Sequence, residues 1–324
     1  MITEFVITPG EGRKRLDVFL CHREPAISRS RIQRLIELGR IRLNTAVVKP
    51  SHMIKPGDHI TMDTPNPEPL CLEGTETSLD ILHEDDVLLV INKPAGIVVH
   101  PTAGHWSGTL LNALLLQFQT NPAGQKEKQS LANPRFVHRL DKFTSGVMVM
   151  AKNAKAHRTL SSQFEKHTIT RAYQALVWGT PGESEGVIEL PIGRDVTNPK
   201  MISGRTDKPR HAVTRYRVVR CFGAKASLVE LSPRTGRTHQ LRVHMAAIGS
   251  PILGDTTYGG EEVHAMGAVR IPRIMLHAQT LGFYHPTDKT YQEYSVNYPS
   301  DMQQVEWTLD AHSSNVTDKP FGCE

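Results

Sequence analysis

Hydrophobic positions near the start of the chain recur at helical spacing, then give way, past a proline-rich break, to short apolar runs of strand length. Leu16, Phe19 and Leu20 stand at i, i+3 and i+4, and Ile32, Leu35 and Ile36 repeat that spacing, so two short amphipathic helices are predicted. Ser28 is placed to cap the second and Gly39 to end it. β-like pieces follow at 41–44, 47–49 and 60–62, with Lys55-Pro56-Gly57-Asp58 as the turn before the last. Two helices and a small sheet make a module over residues 1–63, and Pro65, Pro67, Pro69 and Gly74 mark residues 64–78 as a linker.

The pattern beyond residue 79 is richer in strands. Apolar runs at 87–91, 97–99, 147–151, 172–178, 213–219 and 228–231 read as strands, and helical spacing interleaves at 110–118, 154–164 and 238–248. The expected class is α+β: a small N-terminal α/β module followed by a large mixed, mainly antiparallel domain over 79–300. Polar residues 119–135, with two Asn-Pro pairs, read as a surface excursion, and residues 301–324 as a tail without a motif.

Composition narrows the class. With 324 residues, 39% hydrophobic and 22% charged, the chain has enough apolar surface for a sizeable core. No apolar run approaches the roughly 18 residues of a membrane span, so no membrane partner is expected. Residues 1–10 carry Glu4 and lack the pattern of a secretory signal, which leads to the expectation of a cytoplasmic protein. The four cysteines, 21, 71, 221 and 323, form no close pair and are expected as thiols. A monomer is the default expectation.

The net charge of +5 gains meaning from its placement. Residues 13–42 hold nine basic side chains, among them Arg15, Arg29, Arg31, Arg34 and Arg40, against three acidic ones. Nucleotide and metal motifs fail: Gly10-Glu11-Gly12 lacks the third glycine of a dinucleotide loop, no Walker-type loop occurs, and His239 and His244 stand five apart rather than on one helical face. No metal and no cofactor are expected. What remains is Val137-His138-Arg139-Leu140-Asp141-Lys142, a turn carrying a carboxylate between cations and leading into an apolar strand. A second polar cluster, from Arg234 through Arg237, Thr238 and Arg242 to His244, places donors at the start of a predicted helix, suited to hold an ionised aspartate and to meet phosphates.

These strings carry a resemblance. HRLDKFTSGVMVMAK, INKPAGIVVHP, RAYQALVWG, SPRTGRTHQLRVHMAAIGSPILGDTTYG and LHAQTLGFYHP, in the family's order over about residues 79–286, resemble the RluA/RluD-type RNA pseudouridine synthases. RLDVFLCHREPAISRSRIQRLIELGRIRLN, followed by VVKPSHMIKPGDHI, resembles the RNA-binding module first known from a small-subunit ribosomal protein. The resemblance implies isomerisation of uridine to pseudouridine in structured RNA, without cofactor or metal. Large-subunit ribosomal RNA is the leading expectation, transfer RNA the alternative, and a non-catalytic RNA-binding protein the remoter one. By resemblance Asp141 is the essential aspartate and Arg242 the arginine that pairs with it. By the same resemblance Tyr173 is expected to stack on the target base and Arg139 to enter the RNA stack when the uridine flips out. His138 and Arg237 are assigned to the same RNA-facing group, and Leu253 to a wall of the base pocket. Lys93-Pro94-Ala95-Gly96 is assigned structural duty, fixing a turn.

Overall fold

The computed structural model describes residues 2–25, 27, 29–63, 79–100, 108–120, 135–259, 265–266 and 269–313. Ser28, the side chain of Arg31, the expected linker 64–78 and residues 314–324 of the expected tail lie outside the described residues. The chain divides into two compact units, Met1–Leu70 and Cys71–Glu324. No described helix is long and apolar enough to cross a membrane.

In the first unit, β1 (Ile2–Val6), α1 (Leu16–Arg23), α2 (Arg29–Glu37), β2 (Ile41–Leu43) and β3 (His59–Asp63) form two helices against an antiparallel sheet of order β1-β3-β2. Leu16, Phe19, Leu20, Ile32, Leu35 and Ile36, the residues at helical spacing, pack on Ile41, Leu43, Ile60 and Met62. Gly39 ends α2 with a left-handed φ of 70, which costs a residue without Cβ nothing. β1 had no counterpart in the expected elements, and residues 47–49 are loop rather than strand.

The second unit opens with β4 (Asp80–Glu84), β5 (Leu88–Lys93), α3 (Leu110–Thr120), β6 (Arg135–Phe136), β7 (Ser145–Ala151) and α4 (Ala154–Glu165). It continues with β8 (Thr170–Trp178), β9 (Glu185–Glu189), a small hairpin of β10 (Gly193–Arg194) and β11 (Ile202–Ser203), β12 (Val213–Phe222), β13 (Ala226–Pro233) and α5 (Gln240–Ala247). A second small hairpin of β14 (Ala265–Met266) and β15 (Val269–Arg270), then β16 (Leu276–Tyr284), β17 (Tyr291–Ser295) and α6 (Ser300–Ser313), complete it. The central sheet runs β4-β5-β7-β16-β8-β13-β12-β9, with β17 on β16 and β6 on β7. Among the described residues every strand pair is antiparallel except β7 with β16, where Ser145 and Gly146 lie beside His277 and Ala278.

Both faces of this sheet are covered, which explains why its inner strands read as unbroken apolar runs. Leu89, Ile91, Met148 and Met150 face Leu110, Ala113 and Leu114 of α3, while Leu88, Val90, Val147 and Val149 face Ala156 and Leu160 of α4. On β8, Ala175 and Val177 meet Leu241 and Met245 of α5, and Leu176 lies in the cluster holding Met302, Val305 and Leu309 of α6. Each Val, Leu, Ile or Met among them contributes about 1.5–3 kcal/mol on full burial. Three expectations change here. Residues 97–99 are loop, with Val99 buried in the α3 cluster. The tail expected from residue 301 begins with an ordered helix docked on the core. The helix expected over 238–248 starts at Gln240, because His239 adopts a left-handed backbone.

Candidate active site

The loop that carries Asp141 is short and tied from three sides. Lys93 Nζ donates to the carbonyls of Pro94 at 2.8 Å and Lys142 at 3.2 Å, and the Gly96 N–H donates to the same Lys142 carbonyl at 2.8 Å. Arg273 Nη1 donates to the Phe143 carbonyl at 3.1 Å, and Arg273 is itself clasped by Asp301 of α6, with Nη2 to Oδ1 at 2.8 Å. Lys93 is fully buried, and that burial pushes its ammonium down to about 7; Asp141 opposes the shift and Arg273 adds to it. The string Lys93 to Gly96 therefore does more than fix a turn: it holds the backbone of the residue following Asp141.

Beyond that loop, Gly146 makes close packing possible. Its φ is +120, and a Cβ there would stand 2.1 Å from the Ala278 carbonyl oxygen, so only glycine lets β7 approach β16. That approach brings the Asp141 loop beside β8, where Tyr173 sits opposite Ala278 and Leu231.

Arg242, on α5, comes to within 3.3 Å of Asp141 Oδ2 through Nη1, but its principal partner is Asp255. Nε donates to Asp255 Oδ2 at 2.6 Å and Nη2 to Oδ1 at 2.8 Å, a bidentate pair in which both residues are buried. Asp255 also accepts the N–H groups of Thr257 and Tyr258, and the Arg242 guanidinium lies 4.9 Å above the Tyr258 ring. This corrects the expected picture of a simple Asp141–Arg242 pair: Arg242 is oriented by Asp255 and offers Asp141 one remaining nitrogen.

His239 precedes α5 with φ 54 and ψ 18, a left-handed conformation that costs a residue with a Cβ about 1–2 kcal/mol. Its Nδ1 lies 2.8 Å from the Tyr258 hydroxyl and its Nε2 3.8 Å from Asp141 Oδ2. Burial lowers its pKa, with Asp141 opposing and Arg242 reinforcing, so the imidazole is neutral at pH 7.

Two cavities meet at this carboxylate. One, of about 600 Å³, is lined by Tyr173, Phe164 and Leu241 together with Arg139, Arg171, Arg210, Arg237 and Arg242. The other, of about 630 Å³, has Val98, Val99, Phe143, Pro272 and Ile274 as apolar wall; Arg139, Asp141, His239 and Arg242 line both. Cations predominate in the first, where Asp141 and Glu165 are the only carboxylates among the described residues, so its field favours a phosphate-bearing ligand.

The expected residues are distributed unevenly around this centre. Asp141, Arg242, Tyr173, Arg139 and Arg237 are brought together at the first cavity. Arg139 is exposed and makes no hydrogen bond or ion pair among the described residues. Arg237 Nε donates to the His211 carbonyl at 3.1 Å, at the rim. Burial raises the Tyr173 phenol above its ordinary value, partly opposed by Arg171, so it stays protonated. His138 lines the cavity, but its ring stacks on Phe164 at 4.7 Å and its Nε2 accepts the Val149 N–H at 3.1 Å. Burial pushes it down to about 3, which makes it a neutral group of the scaffold rather than a cation for RNA. Leu253, expected on the pocket wall, is fully buried among Leu176, Phe222, Leu228 and Met275, while its neighbour Gly254 lines the second cavity. Asp255 and Tyr258 have no role among the sequence expectations and His239 enters them only as half of a failed metal pair, although all three stand inside the string quoted for the resemblance.

The arginines of the first unit also differ from expectation. Asp17, fully buried, accepts from Arg15 at 3.0 Å, Arg29 at 2.9 Å and Gln33 at 2.6 Å. Those bonds hold its carboxyl well below the usual carboxylate range against the opposing effect of burial. Arg34 lies 3.7 Å from Glu37, and Arg40 2.7 Å from Asp63. All four arginines stay about half exposed, but each is partnered by an acid instead of standing free on the wet face.

The comparisons with known proteins define the class first. The sequence pattern described as RNA pseudouridylate synthase matches residues 87–247, and that of the S4 domain matches residues 14–60. A Bacillus subtilis protein named as the uncharacterized RNA pseudouridine synthase YlyB is 39% identical, over 92% of this chain and 96% of its own length. A Zymomonas mobilis protein named ribosomal large subunit pseudouridine synthase D is 40% identical, over 89% of this chain and 92% of its own. Among solved structures, human RNA pseudouridylate synthase domain containing 1 superposes with a TM-score of 0.56 at 29% identity, covering 76% of this chain and 99% of that one. The chain belongs to the RluA/RluD-type RNA pseudouridine synthases, with an S4-like RNA-binding module at its N-terminal end.

Proposed function

We propose that the protein converts uridines to pseudouridine within large-subunit ribosomal RNA and that the Asp141 carboxylate opens the reaction. The observation that carries this reading is the placement of Asp141 at the junction of two cavities, against Arg242 and within a ring of arginines. Similarity to a relative named for the ribosomal large subunit supports the choice of RNA.

The isomerisation breaks the bond from N1 of uracil to C1′ of ribose, turns the base, and joins C5 to C1′. The C5 proton leaves to solvent and N1 gains one, so no oxidant or reductant is consumed. Asp141 serves as nucleophile on C1′ or as the base that withdraws the C2′ proton; either role needs a carboxylate against the sugar. Arg242 orients it. Tyr173 offers its ring face to the base, and Arg139, without a partner among the described residues, fills the gap left by the flipped nucleotide. A stacked uridine shows neither face of its glycosidic bond, so extrusion precedes chemistry.

The test is tritium release from transcripts labelled at C5 of uridine, with ribosomal and transfer RNA compared, for the parent protein and Asp141→Asn. Release from large-subunit ribosomal RNA that is abolished in the variant is the expected result. Release from transfer RNA alone overturns the choice of substrate, and activity retained in Asp141→Asn removes that residue from the mechanism.

A further inference from the structure

Two side chains face the same oxygen of Asp141, and the family resemblance assigned a role to only one of them. Arg242 Nη1 lies 3.3 Å from Oδ2 and His239 Nε2 lies 3.8 Å from it. The left-handed backbone at His239 is what delivers the ring to that position, on the wall shared by both cavities. A strained backbone at a residue that lines the site is a feature maintained by its surroundings rather than by local preference.

The other ring nitrogen determines what Nε2 offers. Nδ1 is 2.8 Å from the Tyr258 oxygen, and that oxygen already accepts the Ile202 N–H at 3.1 Å. The hydroxyl hydrogen is thereby free to be given to Nδ1, which leaves the ring hydrogen on Nε2, facing Asp141. Asp141 Oδ2, 3.8 Å away, attracts a hydrogen at Nε2, while burial, Arg242 and Arg139 disfavour a second proton on the ring. Both donors also share one anchor. Asp255 clasps Arg242 and accepts the Tyr258 N–H, so the turn from Asp255 to Tyr258 sets the direction of the guanidinium and the imidazole together.

We infer that His239, oriented by Tyr258, is a positioning residue that joins Arg242 in holding Oδ2 of Asp141 and so leaves Oδ1 as the oxygen that meets the ribose. The inference rests on the proposed role of Asp141. The gap of 3.8 Å is longer than a hydrogen bond and closes by a small rotation of the carboxylate when the sugar enters.

The experiment measures single-turnover tritium release and RNA affinity separately, on whichever of the two RNA classes the parent protein modifies. His239→Ala is expected to slow the chemical step by about 10–100-fold, by analogy with the loss seen when a partner orienting a metal-ligating side chain is removed. Affinity for the RNA should stay within about twofold, since Nε2 faces the Asp141 carboxylate and the neutral ring offers no cation to a phosphate. His239→Gln, which keeps a nitrogen donor near the place of Nε2, should recover most of the rate. Tyr258→Phe added to His239→Ala should cost nothing further, because both act through one hydrogen-bonded branch.

A His239→Ala rate equal to the parent's overturns the inference, as does a loss confined to affinity, a loss that Gln fails to rescue in a folded variant, or full additivity with Tyr258→Phe. Asp141→Asn run alongside separates the two failures. Activity retained there removes the reading of Asp141 itself, whereas an inactive Asp141→Asn beside a normal His239→Ala removes only the role of His239.

Discussion

Removing Asp255 should unfold more than it disarms. Arg242 is buried with only 6% of its side chain exposed, and Asp255, at 0%, gives it two charge-assisted hydrogen bonds. In Asp255→Ala the guanidinium keeps a single anion, Asp141 at 3.3 Å through one nitrogen, and the N–H groups of Thr257 and Tyr258 lose their acceptor as well. Breaking a buried pair by deleting one partner costs about 3–5 kcal/mol, a large share of the roughly 5–15 kcal/mol that holds a domain folded. With a urea slope of about 3 kcal/mol/M, the unfolding midpoint should fall by roughly 1–1.7 M. The cost comes from a stranded charge, so removing the charge should relieve it. Asp255→Leu combined with Arg242→Met replaces the pair by apolar volume and should be more stable than Asp255→Ala alone, although inactive. Urea titration followed by tryptophan fluorescence reads all three. An Asp255→Ala midpoint within about 0.2 M of the parent's, or a double variant less stable than the single, would refute the claim that this pair is buried and coupled.

Two further outcomes are expected. Lys93 holds its proton less tightly folded, at about 7, than unfolded, at 10.5; between those values the unfolded chain carries the extra proton, so stability should rise with pH from 7 to 10. Urea midpoints at about pH 7, 8.5 and 10 should climb in the parent and stay flat in Lys93→Met, and parallel curves would contradict the assignment. Arg34 and Arg42 are exposed on the first unit, so changing both to Gln should reduce the slope of log affinity against log salt by about 0.7–0.9 for each phosphate left without its cation. Filter binding at several salt concentrations checks this, and an unchanged slope shows that neither arginine meets a phosphate.

The parts of the molecule legible in its sequence are those set by neighbours along the chain. Helical spacing located α1 and α2, and the crowding of charge around Asp141 located the loop, because both are properties of a dozen consecutive residues. Residues 97–99 misled because three β-branched side chains satisfy their burial from a loop as well as from a strand. Met302, Val305 and Leu309 did carry helical spacing, and only the want of a chemical motif hid α6. The partners of Arg15 and Arg29 were hidden for another reason: Asp17 occupies a helix position where an acid is usually solvated, and nothing local shows that two arginines and Gln33 converge on it. Asp255 belongs with these. Its role depends on Arg242 lying 13 residues away across a turn, a relation that becomes visible only in three dimensions.

The strand order also has a consequence for how the enzyme is made. β16 stands between β7 and β8 and supplies the sheet's parallel join, yet it is among the last elements to be synthesised. A nascent chain that has not released residues 276–284 owns two half-sheets: Asp141 belongs to one and Tyr173 to the other. The core of the S4-like module needs no residue beyond Met62, so every part of it has been synthesised by then. On this strand order the RNA-binding module can fold before the sheet that carries Asp141 beside Tyr173 is able to close.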